Sequence, residues 1–231
     1  MRLASGNHDE RPVVRLRSFR TLAHFARVRN LLFFPQQTNL ARTVAVFVLL
    51  FVALPARAQE AVATLDPAQT RIEFTLGDVL HTVHGTFRLK SGEIHFDVST
   101  GKAAGKVVVD ATSGESGNSS RDKKMHAEYL ESQKYPEIVF IPTRVNGSLN
   151  PKTASQVEVS GVFQLHGSDH EFTMSATVEP GAGKLDATAK FTIPYVKWGI
   201  KNPSTFLLRV SDKVDIEVHA VGKLAPAAPA S

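Results

Sequence analysis

The feature that most constrains the fold of this chain is an alternation of apolar and polar residues with a period of two. In the first run Ile72, Phe74 and Leu76 alternate with polar residues, and six later runs repeat the pattern as far as residue 220. Because successive side chains of a strand point to opposite sides, each run predicts a β-strand with one buried and one solvated face. The later apolar sets are Val83, Gly85, Phe87 and Leu89; Ile94, Phe96 and Val98; Val157, Val159, Gly161, Phe163 and Leu165; Phe172, Met174, Ala176 and Val178; Leu185, Ala187, Ala189, Phe191 and Ile193; and Val214, Ile216, Val218 and Ala220.

Short turn signals separate these runs and predict how the strands are connected. They are Ser91-Gly92, Thr100-Gly101, Asn146-Gly147, Gly167-Ser168-Asp169 and Pro180-Gly181-Ala182-Gly183. Short connections favour antiparallel neighbours, since parallel strands need long crossovers. We therefore expect an all-β fold with roughly eight or nine strands in an up-and-down sheet, which either pairs as a sandwich or closes into a barrel.

One segment breaks the alternation and has the features of a helix. The motif Ser119-x-x-Asp122 fits a capping box, which predicts Ser119 as the N-cap residue. The segment ends before Pro136, which a helix cannot pass. The sequence therefore predicts one short helix over about residues 120–132.

Residues 43–54 form an apolar run of 12 residues, too short for a membrane span of about 20 residues. Arg42 precedes the run, and the small-residue motif Ala56-x-Ala58 follows it. A basic segment, a short apolar segment and such a motif are typical of a secretory signal. We predict that residues 1–58 are an N-terminal extension with a signal peptide cleaved after Ala58, which leaves no stable membrane anchor. An uncleaved anchor is the alternative.

The net charge of +5 comes from the N-terminal segment alone. Residues 1–58 hold nine basic and two acidic residues, whereas residues 59–231 carry a net charge of −2. The remainder of the chain lacks the basic character that nucleic-acid binding requires, so we expect no nucleic-acid partner. The chain also has no cysteine, which excludes disulfides, thiolate metal sites and a cysteine nucleophile.

Five histidines could suggest a metal site, but their spacing argues against it: His81, His84, His95, His166 and His170. His81 and His84 are three residues apart, an odd spacing that places them on opposite faces of a strand. His166 and His170 flank a tight hairpin and could meet across it, yet no carboxylate pattern completes a site. We predict surface histidines, no metal and no cofactor.

A hydrolase triad could be built from Ser119, Asp122 and His126, but the spacing fits helix capping better. Asp122 and His126 are four residues apart, which predicts a surface pair on the helix. The sequence contains no Gly-x-Ser-x-Gly nucleophile elbow, phosphate loop or dinucleotide fingerprint. We therefore predict no catalytic residues, with a hydrolase that uses His126 or the His81/His84 region as the alternative.

Residues 119–140 resemble the helical signature of the YceI-like family: an Arg-Asp pair, a short helix, and Lys-Tyr-Pro leading into a strand. The matching residues are Arg121, Asp122, Lys134, Tyr135, Pro136 and Phe140, with further matches in Ile72-Glu73-Phe74, His84-Gly85-Thr86-Phe87 and Leu165-His166-Gly167. The resemblance covers about residues 62–222. It implies a lipocalin-like, extended antiparallel barrel around an apolar cavity, over residues 59–224, in a periplasmic or secreted protein. Residues 225–231 are rich in Ala and Pro, which predicts a disordered tail.

The resemblance also implies an apolar lipid as the partner, of the polyisoprenoid, quinone or fatty amide type, and leaves a homodimer open. The residue pattern by itself is compatible with a filled core, and a stress-protective protein with such a core is a further alternative. Gly85 and Gly161 lie on apolar faces, either because a neighbouring backbone approaches closely or because a ligand needs room. The candidate ligand-binding residues are Phe74, Val83, Gly85, Phe87, Phe140, Gly161, Phe163, Phe172, Met174 and Phe191.

Overall fold

The computed structural model describes residues 60–77, 82–150, 152–181, 183–206 and 208–226, so residues 1–58 and His81 lie outside the described part. The described residues form nine strands and one short helical segment. The strands are β1 (Glu60–Leu65), β2 (Arg71–Gly77), β3 (Thr82–Asp97), β4 (Ala103–Glu115), β5 (Glu137–Asn146), β6 (Ser155–Leu165), β7 (Ser168–Val178), β8 (Lys184–Ile193) and β9 (Val214–Pro226). Helix α1 (Ser119–Lys124) continues directly into a π-helical turn, Met125–Tyr129.

The strands close into an antiparallel barrel with eight positions. Strands β2 to β9 pair in sequence order, and β9 pairs back with β2. β1 shares the position of β2, because both lie between β3 and β9 at different heights. The chain between β1 and β2 is held against β9, where Asp66 donates its backbone N–H to the Val221 carbonyl at 2.8 Å. The predicted all-β barrel with one short helix is confirmed.

β3 is a single strand of 16 residues, so the turn predicted at Ser91-Gly92 is wrong. The pairing of β3 with β4 shifts register between Leu89 and Ser91, which marks a β-bulge. The extra residue moves the inward face from odd-numbered to even-numbered positions, and this change of phase resembles the end of one strand and the start of another. Gly92 is required for packing, because a Cβ there would lie 2.6 Å from Cδ1 of Leu65.

The hairpin between β6 and β7 is tight, but its loop lies one residue earlier than the predicted turn at Gly167-Ser168-Asp169, because Ser168 and Asp169 already belong to β7. Leu165 pairs with Ser168, and the residues between them, His166 and Gly167, have φ angles of 53° and 77°. Positive φ at both loop positions is the geometry of a type I′ turn, whose twist matches that of the flanking strands.

The helix begins one residue earlier than predicted, because the N-cap is Asn118 and not Ser119. The Asn118 side chain accepts the backbone N–H of Arg121 at 3.0 Å. Asparagine is among the strongest N-cap residues, so it outcompetes the serine beside it. The Asp122 carboxylate accepts the backbone N–H of Ser116 at 3.0 Å and thereby closes the loop before the helix.

β9 continues through Pro226, so the predicted disordered tail does not begin at Ala225. Ala225 and Pro226 pair with Val62 and Ala61 of β1. The edge of β1 offers these two residues a backbone to pair with. The proline lies at the very end of the strand, where the missing N–H costs little.

Candidate functional site

A cavity of about 260 Å³ lies inside the barrel. Its walls are the inward faces of all nine strands, and they meet the solvent at the end where β3 joins β4 and β5 joins β6. Thr70 and Asp97 carry the only polar side chains among the described residues that line it. The apolar lining residues include Ala63, Leu65, Ile72, Phe87, Leu89, Ile94, Phe96, Val107, Val109, Ile138, Phe140, Val157, Val159, Phe163, Met174, Ala176, Leu185, Ala187, Ala189, Phe191, Ile216 and Val218.

The two polar residues of the lining are already engaged by the protein. The Thr70 hydroxyl lies 3.2 Å from both the carbonyl and the N–H of Val221. The Asp97 carboxylate accepts the Ser99 hydroxyl at 2.6 Å and the backbone N–H groups of Ser99 and Thr100 at 2.8 and 3.0 Å. These hydrogen bonds, the one from the Ser99 side chain first, hold the pKa of Asp97 below its usual value. Asp97 is therefore a carboxylate that organises the turn at the mouth of the cavity.

An aromatic cluster closes the other end of the cavity. The ring of Phe163 lies 5.4 Å from that of Phe140, 5.6 Å from that of Phe172 and 5.9 Å from that of Trp198, between centroids. Trp198 belongs to the segment that follows β8, and its indole stacks on His170 at 4.3 Å with an interplanar angle of 2°. The interior is therefore open at one end and blocked by rings at the other.

The segment that carries Trp198 lies where the barrel wall is weakest. β7 and β8 pair at only three described positions, Ala176 to Val178 of β7, whereas β6 and β7 pair along their whole length. Trp198 meets Phe172 of β7 edge to face at 5.8 Å, on the part of the strand that has no partner in β8. Packing of the Trp198 ring against β7 therefore replaces the backbone pairing with β8 that is missing there.

His166 and His170 have separate aromatic neighbours, and His81 lies outside the described residues. His166 lies against Tyr135 with 4.6 Å between ring centroids, whereas His170 lies against Trp198. The Nε2 atoms of both histidines are buried and have no hydrogen-bond partner among the described residues. His84 is on the outer face of the barrel, where its Nδ1 lies 3.0 Å from the Thr75 hydroxyl. In the part of the chain that the structure describes, no three His, Asp or Glu side chains are grouped to hold a metal ion.

His126 has a structural environment that differs from the predicted surface pair with Asp122. Its Nε2 lies 2.8 Å from the Gly114 carbonyl, and its Nδ1 lies 2.9 Å from the Ser132 hydroxyl. A carbonyl only accepts, so Nε2 carries the proton and donates it to Gly114. Nε2 therefore binds the helical segment to β4, and Nδ1 binds it to the loop that follows, at Ser132. The predicted pair with Asp122 is wrong because these partners are nearer.

Five of the ten predicted ligand-binding residues line the cavity: Phe87, Phe140, Phe163, Met174 and Phe191. Phe172 lies behind them in the aromatic cluster, and its ring meets that of Phe191 at 5.4 Å. Phe74, Val83, Gly85 and Gly161 do not contribute to the lining. Phe74 packs instead against Phe87, with 5.4 Å between ring centroids.

The two glycines are explained by close approach and leave no room for a ligand. A Cβ on Gly161 would collide with the carbonyl of Ile141 and lie 2.8 Å from Cζ of Phe140. A Cβ on Gly85 would collide with the carbonyl of Glu115 and with the ring of Phe74, its cross-strand partner. In both cases a neighbouring backbone and an aromatic ring occupy the space, so the first of the two explanations is the correct one.

The lining residues that the sequence did not indicate come mainly from β1, β4 and β5. Val107 and Val109 of β4 lie in an unbroken run of three valines, in which the period of two is invisible. Val145 has the opposite phase to Ile138 and Phe140 of the same strand, and the register shift between Pro142 and Arg144 turns it inward.

Comparisons with known proteins agree with this architecture. A family model described as the YceI-like domain matches residues 64–222. A UPF0312 protein of Pseudomonas putida is 32% identical over 149 residues, which cover 61% of this chain and 73% of the relative. A UPF0312 protein of Vibrio campbellii is 30% identical over 179 residues, which cover 74% of this chain and 92% of the relative.

Two solved structures share the fold. BcnA of Burkholderia cenocepacia is 15% identical, with a TM-score of 0.57 over 68% of this chain and 99% of its own. A polyisoprenoid binding domain from Saccharophagus degradans is 16% identical, with a TM-score of 0.52 over 71% of this chain and 98% of its own. No helix in the described ranges is long and apolar enough to cross a membrane.

Proposed function

The chain belongs to the YceI-like family, and from this premise we propose that it is a lipid-binding protein that holds a long-chain isoprenoid or similar apolar ligand inside the barrel. The observation that carries the proposal is the cavity, whose lining is apolar except for Thr70 and Asp97. Burial of each CH₂ group gains about 0.8 kcal/mol, so such a cavity binds an apolar chain without any reactive group. The Saccharophagus domain, described as polyisoprenoid binding, supports this class of ligand.

The size of the cavity supports a ligand that enters by one extended tail. Its volume of about 260 Å³ lies just below the range of about 300–1,000 Å³ in which most ligand pockets fall. The aromatic cluster around Phe163 blocks the far end, so a chain can enter only through the mouth. A longer ligand would leave its head group there, beside Asp97.

The cavity argues against a protein with a filled core, and the histidines argue against a hydrolase. His126 uses both ring nitrogens in structural contacts, Nε2 with Gly114 of β4 and Nδ1 with Ser132 of the loop after the helical segment. His84 is hydrogen-bonded to Thr75 on the outer face of the barrel, away from the cavity. We infer a binding protein without catalytic residues, active in the periplasm or outside the cell, since residues 43–58 have the features of a secretory signal.

Native mass spectrometry of the gently purified protein tests the proposal. We expect a co-purifying lipid, and we expect the delipidated protein to enhance the fluorescence of retinol, an isoprenoid alcohol, as the ligand leaves water. A protein that carries no lipid and leaves retinol fluorescence unchanged would refute lipid binding. Turnover of an ester or amide panel, lost in His126→Ala, would favour the hydrolase.

A further inference from the structure

Exposed apolar side chains are concentrated at the mouth of the cavity. Among the described residues, three large apolar side chains are exposed: Val98 at 51%, Leu149 at 38% and Phe206 at 99%. Val98 and Leu149 also line the cavity, so the apolar interior continues without interruption onto the outer surface. Phe206 lies in the segment between β8 and β9, at the opposite end of the barrel.

The two exposed side chains lie on neighbouring loops at the mouth, which together form its rim. Val98 follows β3 and Leu149 follows β5, and the two loops are joined where Val145 donates its backbone N–H to Gly101 at 2.7 Å. Arg144 adds a bond from its guanidinium to the Thr100 carbonyl at 3.2 Å. These bonds hold the loop after β3 against the end of β5, so Val98 and Leu149 belong to neighbouring parts of the rim.

The charge of these two loops is positive. Residues 98–102 and 147–154 contain Lys102 and Lys152, both exposed, and no acidic residue. Asp97, which directly precedes the first of these loops, accepts hydrogen bonds from its own turn. Apolar groups beside lysines are the combination that binds the interface of an anionic bilayer, where the side chains enter the headgroup region and the lysines meet lipid phosphates.

We propose that this rim docks on an anionic lipid bilayer, so that a ligand passes directly between the membrane and the cavity. The inference rests on the proposed lipid binding. It also explains why Val98 and Leu149 are apolar although they are exposed: an isoprenoid chain that crosses water is costly, and an apolar rim pressed onto the bilayer removes the water from its path. The partner is the lipid surface, and a protein partner would require no continuity with the cavity.

Flotation with lipid vesicles tests the docking surface. We expect the protein to bind vesicles of phosphatidylglycerol mixed with phosphatidylcholine, and to bind phosphatidylcholine alone more weakly. The double variant Val98→Ser/Leu149→Ser should lose at least about tenfold in vesicle affinity, since it removes the inserted groups. Lys102→Gln and Lys152→Gln should each weaken binding about fivefold, and added salt should reduce this difference.

Phe206→Ser provides the control, because it removes an even more exposed apolar side chain far from the mouth. The proposal is wrong if Phe206→Ser abolishes vesicle binding while Val98→Ser/Leu149→Ser retains it, or if the wild-type protein ignores anionic vesicles. Retinol added from ethanol, without vesicles, separates the two proposals. A protein that binds retinol but no vesicle refutes the docking surface alone, whereas one that binds no retinol refutes lipid binding itself.

Discussion

Gly161 lies where β6 and the neighbouring strand β5 approach each other closely. It pairs with Pro142 of β5 and with Phe172 of β7, and the ring of Phe140 covers it. The sequence indicated correctly that a glycine in an apolar strand face has a special role. It could not distinguish a space filled by a neighbouring strand from a space left for a ligand. Both predict a glycine in the apolar face, and the sequence of one strand does not show which residues lie opposite it.

Gly161→Ala should destabilise the barrel. The added methyl group meets the Ile141 carbonyl, a backbone atom that cannot rotate away, so we expect a loss of about 1–3 kcal/mol in the free energy of unfolding. Urea unfolding measures the loss. Gly77→Ala is the control, because a Cβ on Gly77 has no atom within 4 Å. Equal stability of the two variants would contradict the packing seen around Gly161.

Tyr195 should make the fold sensitive to alkaline pH. Its hydroxyl donates to the Ser211 carbonyl at 2.6 Å, and burial, helped by the charge of Asp212, raises its pKa to about 12. The folded state thus favours the neutral phenol. This stabilisation is complete below the ordinary pKa of 10.0 and is lost as the pH rises towards 12. Absorbance titration should show one of the three tyrosines ionising late.

Tyr195→Phe separates this effect from general alkaline denaturation. The variant should be less stable at neutral pH by about 1 kcal/mol, the usual value of one hydrogen bond. Its late absorbance step should disappear, and its stability should fall less steeply at high pH. A late step that persists in the variant would show that it does not come from Tyr195.

At the scale of elements, β6 to β9 were predictable from sequence and β3 and β4 were not. Each of the later strands keeps one phase throughout, so its buried face can be read directly. The bulge after Leu89 changes the phase of β3, and the three valines of β4 conceal theirs. The N-cap at Asn118 depends on a competition between adjacent polar residues that spacing alone does not decide.

The weak pairing between β7 and β8 predicts that Trp198 stabilises the closed end of the barrel. Trp198→Ala removes contacts with His170, Phe163 and Phe172. Loss of a fully buried tryptophan lowers the free energy of unfolding by about 3–5 kcal/mol, and we expect a somewhat smaller loss here. Circular dichroism must follow the unfolding, since Trp198 is the only tryptophan.

Hydrogen exchange adds a local readout for the same variant. In Trp198→Ala, exchange should accelerate in β7 before Ala176, where the strand has no partner in β8, and should remain unchanged in β2. Trp198→Phe keeps a ring against His170 and should show an intermediate effect. Uniform acceleration across all strands would mean that the ring acts on global stability only.

At the scale of the whole molecule, the cavity volume itself can be tested. Ala187 lines the cavity and Ala104 is exposed on β4. Ala187→Leu should fill the interior, so retinol binding should fall at least about tenfold while the melting temperature is kept or rises. Ala104→Leu adds the same atoms outside and should leave binding unchanged. Unchanged binding in Ala187→Leu would place the ligand elsewhere.

The pairing of β1 with β9 determines when the cavity can exist. Ala61 lies opposite Pro226, so the first strand completes the wall with the last one. A growing chain can form the β6–β7 hairpin early, because its contacts are local. Closure of the barrel pairs β9 with β1 and β2, which are far away in sequence, and therefore comes late. The newly made protein is therefore an open sheet until β9 has left the ribosome, and the enclosed cavity exists only from that moment on.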